Sequence, residues 1–185
     1  MKYFIYIIII MGILSMASSS SNAESVTLKP GNLQSISLKE DSSEKAFLVY
    51  FEIPEKLNSK NIAVESARLL FDACVSGDSI GEIEIYPLTT SDWSSIEKYD
   101  WTSSKENLSN IYSIVIPGKH LTLKLEDGKK TVRSNVTAIV KAWLNEDIVN
   151  KGIIITPSIA YLTNSDIKYS IDMTNARLII YYTFE

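Results

Sequence analysis

Cysteine and histidine each occur once in this 185-residue chain, as Cys74 and His120. A single cysteine excludes an internal disulfide, so the fold must be held by buried apolar surface. Cys74 itself reads as a small hydrophobe on a strand. A single histidine leaves little for Ser-His-Asp or metal–histidine chemistry. His120 also precedes an alternating strand, where an exposed histidine is commonplace. The sequence has no phosphate-binding glycine loop, no zinc-ligand spacing and no EF-hand loop. It has no cluster of Lys or Arg, and its formal net charge is −4. Phosphate backbones and anionic membranes are therefore poor partners, and no nucleic-acid binding is expected. There is no βαβ rhythm and no long-period repeat.

One apolar run is present, but it is short. "YFIYIIIIMGILSMA" (Tyr3–Ala17) has 15 residues, against the ~20 that span a bilayer. Met1-Lys2 precedes it. "SSSSNA" follows, with Ser21 and Ala23 at the −3 and −1 positions of a small-x-small cleavage site. This is the pattern of a secretory signal peptide over residues 1–23. No cysteine stands just after it, which argues against a bacterial lipid anchor. The expectation is a secreted, extracellular or cell-surface protein with no stable membrane span after cleavage. Residues 24–185 then form a single domain, within the usual ~100–200 residues.

Beyond the leader, most segments alternate with a period of two. In "KAFLVYFEIP", Phe47, Val49, Phe51 and Ile53 face one way, and Leu48, Tyr50 and Glu52 the other. In "SARLLFDACV", Ala67, Leu69, Phe71, Ala73 and Val75 oppose Arg68, Leu70, Asp72 and Cys74. "EIEIYPL" turns Ile83 and Ile85 inward, with Glu82, Glu84 and Tyr86 outward. One apolar face and one polar face mark half-buried antiparallel strands. Val26–Lys29, "LQSISLK" (Leu33–Lys39) with an ambiguous register, "IYSIVIP" (Ile111–Pro117), "HLTLKLE", "KKTVR", a uniformly apolar "KGIIITP", an irregular strand in "SIAYLTNSDIKYSIDMTN" and "ARLIIYYTFE" complete the set. Asp127-Gly128 signals a hairpin between two of them. Thr89–Asn110 reads as a long, polar, aromatic-dotted loop. The fold class is all-β: an antiparallel β-sandwich, a jelly roll, with one short helix near residues 135–145.

That helix is "NVTAIVKAWLNE" (Asn135–Glu146). Ser134 or Asn135 can cap it. Val136, Ile139, Val140, Trp143 and Leu144 form one apolar stripe. So short a helix is stable only if docked, which makes Trp143 a core residue that plugs one end of the sandwich.

"KAFLVYFEIPEKLNSKNIAVESARLLFDA", "DWSSIEKYDW", "SNVTAIVKAWLNEDIVNKGIIITP" and "ARLIIYYT" occur in an order that resembles DNRLRE (disaggregatase-related) domains, which are similar to carbohydrate-binding module family 96. The resemblance covers about Ala46–Thr183, with Asn135-Val136-Thr137, Val140 and Trp143 its most specific piece and Asn150-Lys151-Gly152 in support. Asn135 stands where that pattern has Asp, and "YDWTSSKE" keeps Trp101 but lacks the pattern's proline. The resemblance implies a secreted, non-catalytic jelly-roll module attached to surface or polysaccharide-acting proteins.

Sugar binding needs aromatic faces for C–H surfaces and amides or carboxylates for hydroxyls. Trp93, Tyr99 and Trp101 in the long loop are the first candidates. Tyr50, Arg68, Asp72, Glu84 and Tyr86 are the second, as a polar-aromatic sheet face. Glu82, Glu84 and Asp72 are paired carboxylates of the kind a glycosidase needs, although a solvated strand face explains them as well. Loop carboxylates and carbonyls can hold a structural calcium ion, but no ordered Asp/Asn spacing marks one. Three readings follow: a carbohydrate-binding or surface-interaction module whose partner is a polysaccharide, a cell-surface glycan or another surface protein; a structural subunit of an extracellular matrix or surface assembly; and, third, a polysaccharide-active enzyme.

Overall fold

The alternation of apolar residues becomes nine strands in two antiparallel sheets. The computed structural model describes residues 23–38, 45–76, 81–96, 104–116, 118–158 and 168–184. The strands are β1 (Glu24–Leu28), β2 (Asn32–Ser37), β3 (Lys45–Tyr50), β4 (Ile62–Ser76), β5 (Gly81–Pro87), β6 (Leu121–Leu125), β7 (Gly128–Asn135), β8 (Ile153–Pro157) and β9 (Lys168–Phe184). One sheet has the order β1-β9-β4-β7 and the other β2-β3-β8-β5-β6. The pairs β1·β9, β3·β8, β4·β7 and β5·β6 are all antiparallel and nested in sequence. A long hairpin folded over itself gives that nesting, and it is the connectivity of a jelly roll. β2 is an added edge strand. Residues 1–22 of the expected signal peptide (1–23) lie outside the described residues. Among the described ones no helix is long and apolar enough to cross a membrane.

The inner faces meet as expected. Ala67, Leu69, Phe71, Ala73 and Val75 of β4 pack with Val49, Ile83, Ile85, Ile153 and Ile155 of the opposite sheet in one apolar cluster. The expected helix is α3 (Thr137–Leu144), where α1 and α2, defined below, precede it in the chain. Its Val136, Ile139, Val140 and Trp143 belong to the same cluster, and Trp143 is 8% exposed. Neither proposed cap holds the N-cap position, which is Val136 with no side-chain cap hydrogen bond; Asn135, one residue earlier, closes a turn onto the helix start. Its Oδ1 accepts from the Thr137 N–H (3.1 Å) and the Thr137 hydroxyl (2.6 Å). The Thr137 hydroxyl oxygen in turn accepts from the Ala67 N–H at 2.8 Å, tying the helix start to β4. Ser134 instead points inward and is buried.

Three expectations fail, each for a physical reason. "IYSIVIP" is not a strand. Its first four residues end α2 (Ser104–Ile114), which follows the single turn α1 (Trp93–Ile96). Ile111, Ile114 and Val115 are buried while Tyr112 is 53% exposed. Buried positions three and four apart fit a helix, not an alternating strand. Only Val115 keeps a strand-like bridge, to Leu88. Secondly, Asp127-Gly128 closes no hairpin. Gly128 has φ +97, but β6 and β7 belong to different sheets, so the turn carries the chain from one sheet edge to the other. Thirdly, the irregular strand and "ARLIIYYTFE" are one 17-residue strand, β9. It follows the 15-residue β4 through two register shifts, Val64/Ser66 and Leu70/Asp72.

The largest difference is a third layer. Ile36, Leu38, Ala46, Leu48, Tyr86, Leu88 and Ile154 form a second apolar cluster with Trp93, Ile96, Ile111, Ile114 and Val115. The strand residues in it pair across β2-β3-β8-β5 on the face turned away from the sandwich core. α1 and α2 cover that face.

The helical register of α2 has a measurable consequence. Ile111→Ala should cost ~2–5 kcal/mol, as deletion of a buried branched side chain does, and Tyr112→Ala should stay within ~0.5 kcal/mol. Urea unfolding of both variants checks this; a larger loss for Tyr112→Ala would mean a different register.

Candidate functional site

An aromatic and polar concavity lies where the end of β3, the start of β8 and α1 meet. It has a volume of about 280 Å³ and is lined by Asn32, Tyr50, Ser91, Trp93, Asn150 and Lys151. Each wall has a local cause. Asn32 and Tyr50 are register partners in the β2·β3 pair, and the Gly31 N–H donates to the Tyr50 carbonyl at 2.8 Å just before it. Asn150 shapes the turn into β8. Its Nδ2 donates to the Phe51 carbonyl (2.9 Å), and its Oδ1 accepts from the Gly152 N–H (3.1 Å). Lys151 donates to the Thr89 carbonyl at 2.8 Å, tying this turn to the segment that leads into α1.

Gly152 is the pivot of the floor. Its φ is +95, and a Cβ there would stand 2.6 Å from the Val49 carbonyl oxygen and 3.1 Å from the Trp93 ring. Only glycine tolerates both the backbone angle and the approach. The Trp93 ring therefore lies down on the turn and is 6% exposed. Trp93 thus forms the edge of the cleft and cannot offer a free ring face. Tyr50 is half-buried. It leaves a ring beside the amide of Asn32, the hydroxyl of Ser91 and the ammonium of Lys151.

The other sequence candidates are dispersed. Tyr99 and Trp101 lie outside the described residues. Arg68 and Asp72 are on β4, in the sheet opposite Tyr50, Glu84 and Tyr86. The single polar-aromatic face expected of these five residues does not exist, because β4 and β5 follow one another in sequence yet belong to different sheets. The same separation places Asp72 away from Glu82 and Glu84. Tyr86 does face away from the sandwich core, but it is 3% exposed beneath the helical layer. Its hydroxyl donates to Glu84 Oε2 at 2.9 Å, and Glu84 Oε1 accepts from the Ser158 hydroxyl at 3.2 Å. The exposed His120 stacks on its ring, with centroids 5.0 Å apart. Asn32, Ser91 and Lys151 were missed by reasoning that looked for aromatic residues on outward faces. An Asn-x-Gly step with a left-handed glycine was the available signal. Among the described residues no three His, Cys, Asp or Glu side chains gather as metal ligands, so they offer no calcium site of that kind. No family model matches the chain, and no curated protein does either.

Burial, and then the adjacent Glu84 carboxylate as charge and hydrogen-bond acceptor, push the Tyr86 phenol far above its ordinary range. The folded state therefore favours the neutral phenol. That contribution to stability is complete below the unfolded value of ~10 and is lost as pH rises toward the folded value. Absorbance titration at alkaline pH checks it: Tyr86→Phe should remove no phenolate signal below about pH 11 while the protein stays folded. A loss of one full tyrosine there would mean an ordinary phenol. Gly152→Ala should destabilise by more than ~2 kcal/mol, from left-handed strain and the clash with Val49. Urea unfolding of that variant measures it, and a change under 0.5 kcal/mol, as at ordinary surface positions, would contradict the geometry.

Proposed function

We propose that this protein is an exported carbohydrate-binding or surface-interaction module of the DNRLRE kind, and that it holds a sugar in the Tyr50 cleft without performing chemistry on it. The observation that carries this reading is the grouping of a half-buried ring, an amide, a hydroxyl and an ammonium where β2, β3 and the turn into β8 meet the segment before α1. Ring faces take the apolar side of a pyranose, and the amide and ammonium read its hydroxyls. The volume lies just below the ~300–1,000 Å³ of small-molecule sites, which suits one sugar unit of a longer chain. Among the described residues no carboxyl group lines the cleft, and glycoside hydrolysis needs two. Binding is therefore favoured over catalysis.

A second reading, a subunit of an extracellular or surface assembly, is supported by the sheet edges. β6 and β7 carry Lys124, Lys129, Lys130 and Arg133, whereas β1 and β2 carry only Glu24. Uncharged edge strands are templates for pairing with another chain.

Glycan-array binding should be detectable for the protein and fall at least tenfold in Tyr50→Ala, as expected from loss of ~1.4 kcal/mol or more. Because Tyr50 also packs, Asn32→Ala with Lys151→Ala gives the same test at positions of little packing value. Array binding that survives both sets, with unchanged unfolding curves, would sink the cleft. Sedimentation showing concentration-dependent self-association without any glycan binding would favour the assembly reading instead.

A further inference from the structure

The chain has three arginines, Arg68, Arg133 and Arg177, and the fold gathers all of them. They come from β4, β7 and β9. Leu70 of β4 is the register partner of Arg133 on one side and of Arg177 on the other. Arg68 precedes Leu70 by two residues on the same strand and so shares its face. That face is the outer one, since Ala67, Leu69 and Phe71 turn into the sandwich core. Leu70 points out with the arginines, yet it is 7% exposed and belongs to neither apolar cluster. All three arginines are exposed. Adjacent register positions on neighbouring strands put their guanidinium groups within side-chain reach of one patch.

Among the described residues these three charges lack counter-ions; Arg68 has only the Tyr181 ring, 5.9 Å from its guanidinium carbon. The carboxylates of the same face are engaged otherwise. Asp72 accepts from the Thr131 hydroxyl at 2.7 Å and faces Lys129 at 3.7 Å. Asp172 accepts from the Thr174 N–H at 2.9 Å. Three like charges on one patch repel one another, and a bound anion relieves that repulsion.

We propose that this arginine triad binds a sulfate ester of a polysaccharide. A guanidinium presents a planar fork of N–H donors. A carboxylate has two oxygens and is satisfied by one or two forks. A sulfate ester has three terminal oxygens, one for each arginine. β7 and β9 flank β4 at ~4.8 Å each, so the outer two arginines stand about 10 Å apart, within reach of one another across Leu70. The open sheet face lets a sugar chain run on past the half-buried Tyr181. With a net charge of −4 the protein as a whole repels polyanions, so attachment has to be local and directional. This inference rests on the reading that the protein engages glycans, but it uses the sheet opposite the Tyr50 cleft.

Retention of the full chain on immobilised dextran sulfate, with uncharged dextran and polygalacturonate as comparators, tests it. The protein should be held on dextran sulfate and pass through the other two. Arg133→Ala and Arg177→Ala should each weaken binding about tenfold, and Arg133→Lys should weaken it too, because lysine keeps the charge and loses the fork. Lys124→Ala, on the other sheet, should leave retention unchanged. Failure to bind dextran sulfate, equal binding to polygalacturonate, full retention of Arg133→Lys, or an equal loss in Lys124→Ala would each overturn the proposal. Loss of array binding in Tyr50→Ala with no dextran sulfate binding would sink the arginine site and leave the cleft standing.

Discussion

The five-stranded sheet is apolar on both faces, and the rest of the molecule is arranged around keeping water from both. In β8, Ile153 and Ile155 join the core between the sheets, while Ile154 joins the cluster on the other side. In β3, Val49 and Leu48 divide the same way. Each large apolar side chain left in water would cost ~1.5–3 kcal/mol. Two layers cannot cover three surfaces. The segment after β5 therefore lies back over the sheet as α1 and α2, and its end is fastened by Thr89–Ile114 and Pro87–Ile116 backbone hydrogen bonds. That cover fixes where Trp93 lies, buries Tyr86, and sets the edge at which Tyr50 emerges. The cleft exists because the cover stops there.

The inner core was legible because it depends on a period of two within single segments. Ala67 to Val75, Ile83 and Ile85, and the stripe of α3 all point where their spacing puts them. The outer layer was hidden because its signal is spread thinly. Ser104–Ile114 has polar residues at most positions, and Ile111 and Ile114 beside Tyr112 read equally as a strand. Leu48 and Ile154 were visible as apolar residues on the wrong side of an alternation. Taken together they imply a second buried face, and Tyr86 on an adjacent strand then has to be covered as well. Of the expected strands, a helix replaces one and two others are the single strand β9.

What no single segment carries is register. Leu70 meets Arg133 and Arg177 only after β4 has been paired on both sides. Asp127-Gly128 has the chemistry of a hairpin turn, but β6 needs β5 as a partner to set Leu121, Leu123 and Leu125 against the core. β7 is needed beside β4 to bring Val132 in from the other sheet. The nested pairing of a jelly roll outweighs the local turn preference, because each of those placements buries apolar surface that a β6·β7 hairpin would leave on one sheet.

The two sheets consequently have unlike outer surfaces. One is roofed by helices, so its chemistry is confined to the margin of the roof, where Tyr50 stays half-buried with Asn32 and Lys151 beside it. The other carries no such roof among the described residues, and its polar residues Arg68, Arg133 and Arg177 are exposed. Both tryptophans among the described residues are wedges: Trp143 closes the end of the sandwich, and Trp93 closes the gap over Gly152. A ring that large contributes most when most of it is out of water. Residues that combine an apolar body with a polar end, such as Tyr50 and the arginines beside Leu70, can serve packing and recognition at once. They stand at the borders of buried surface, which is where a ligand can meet them.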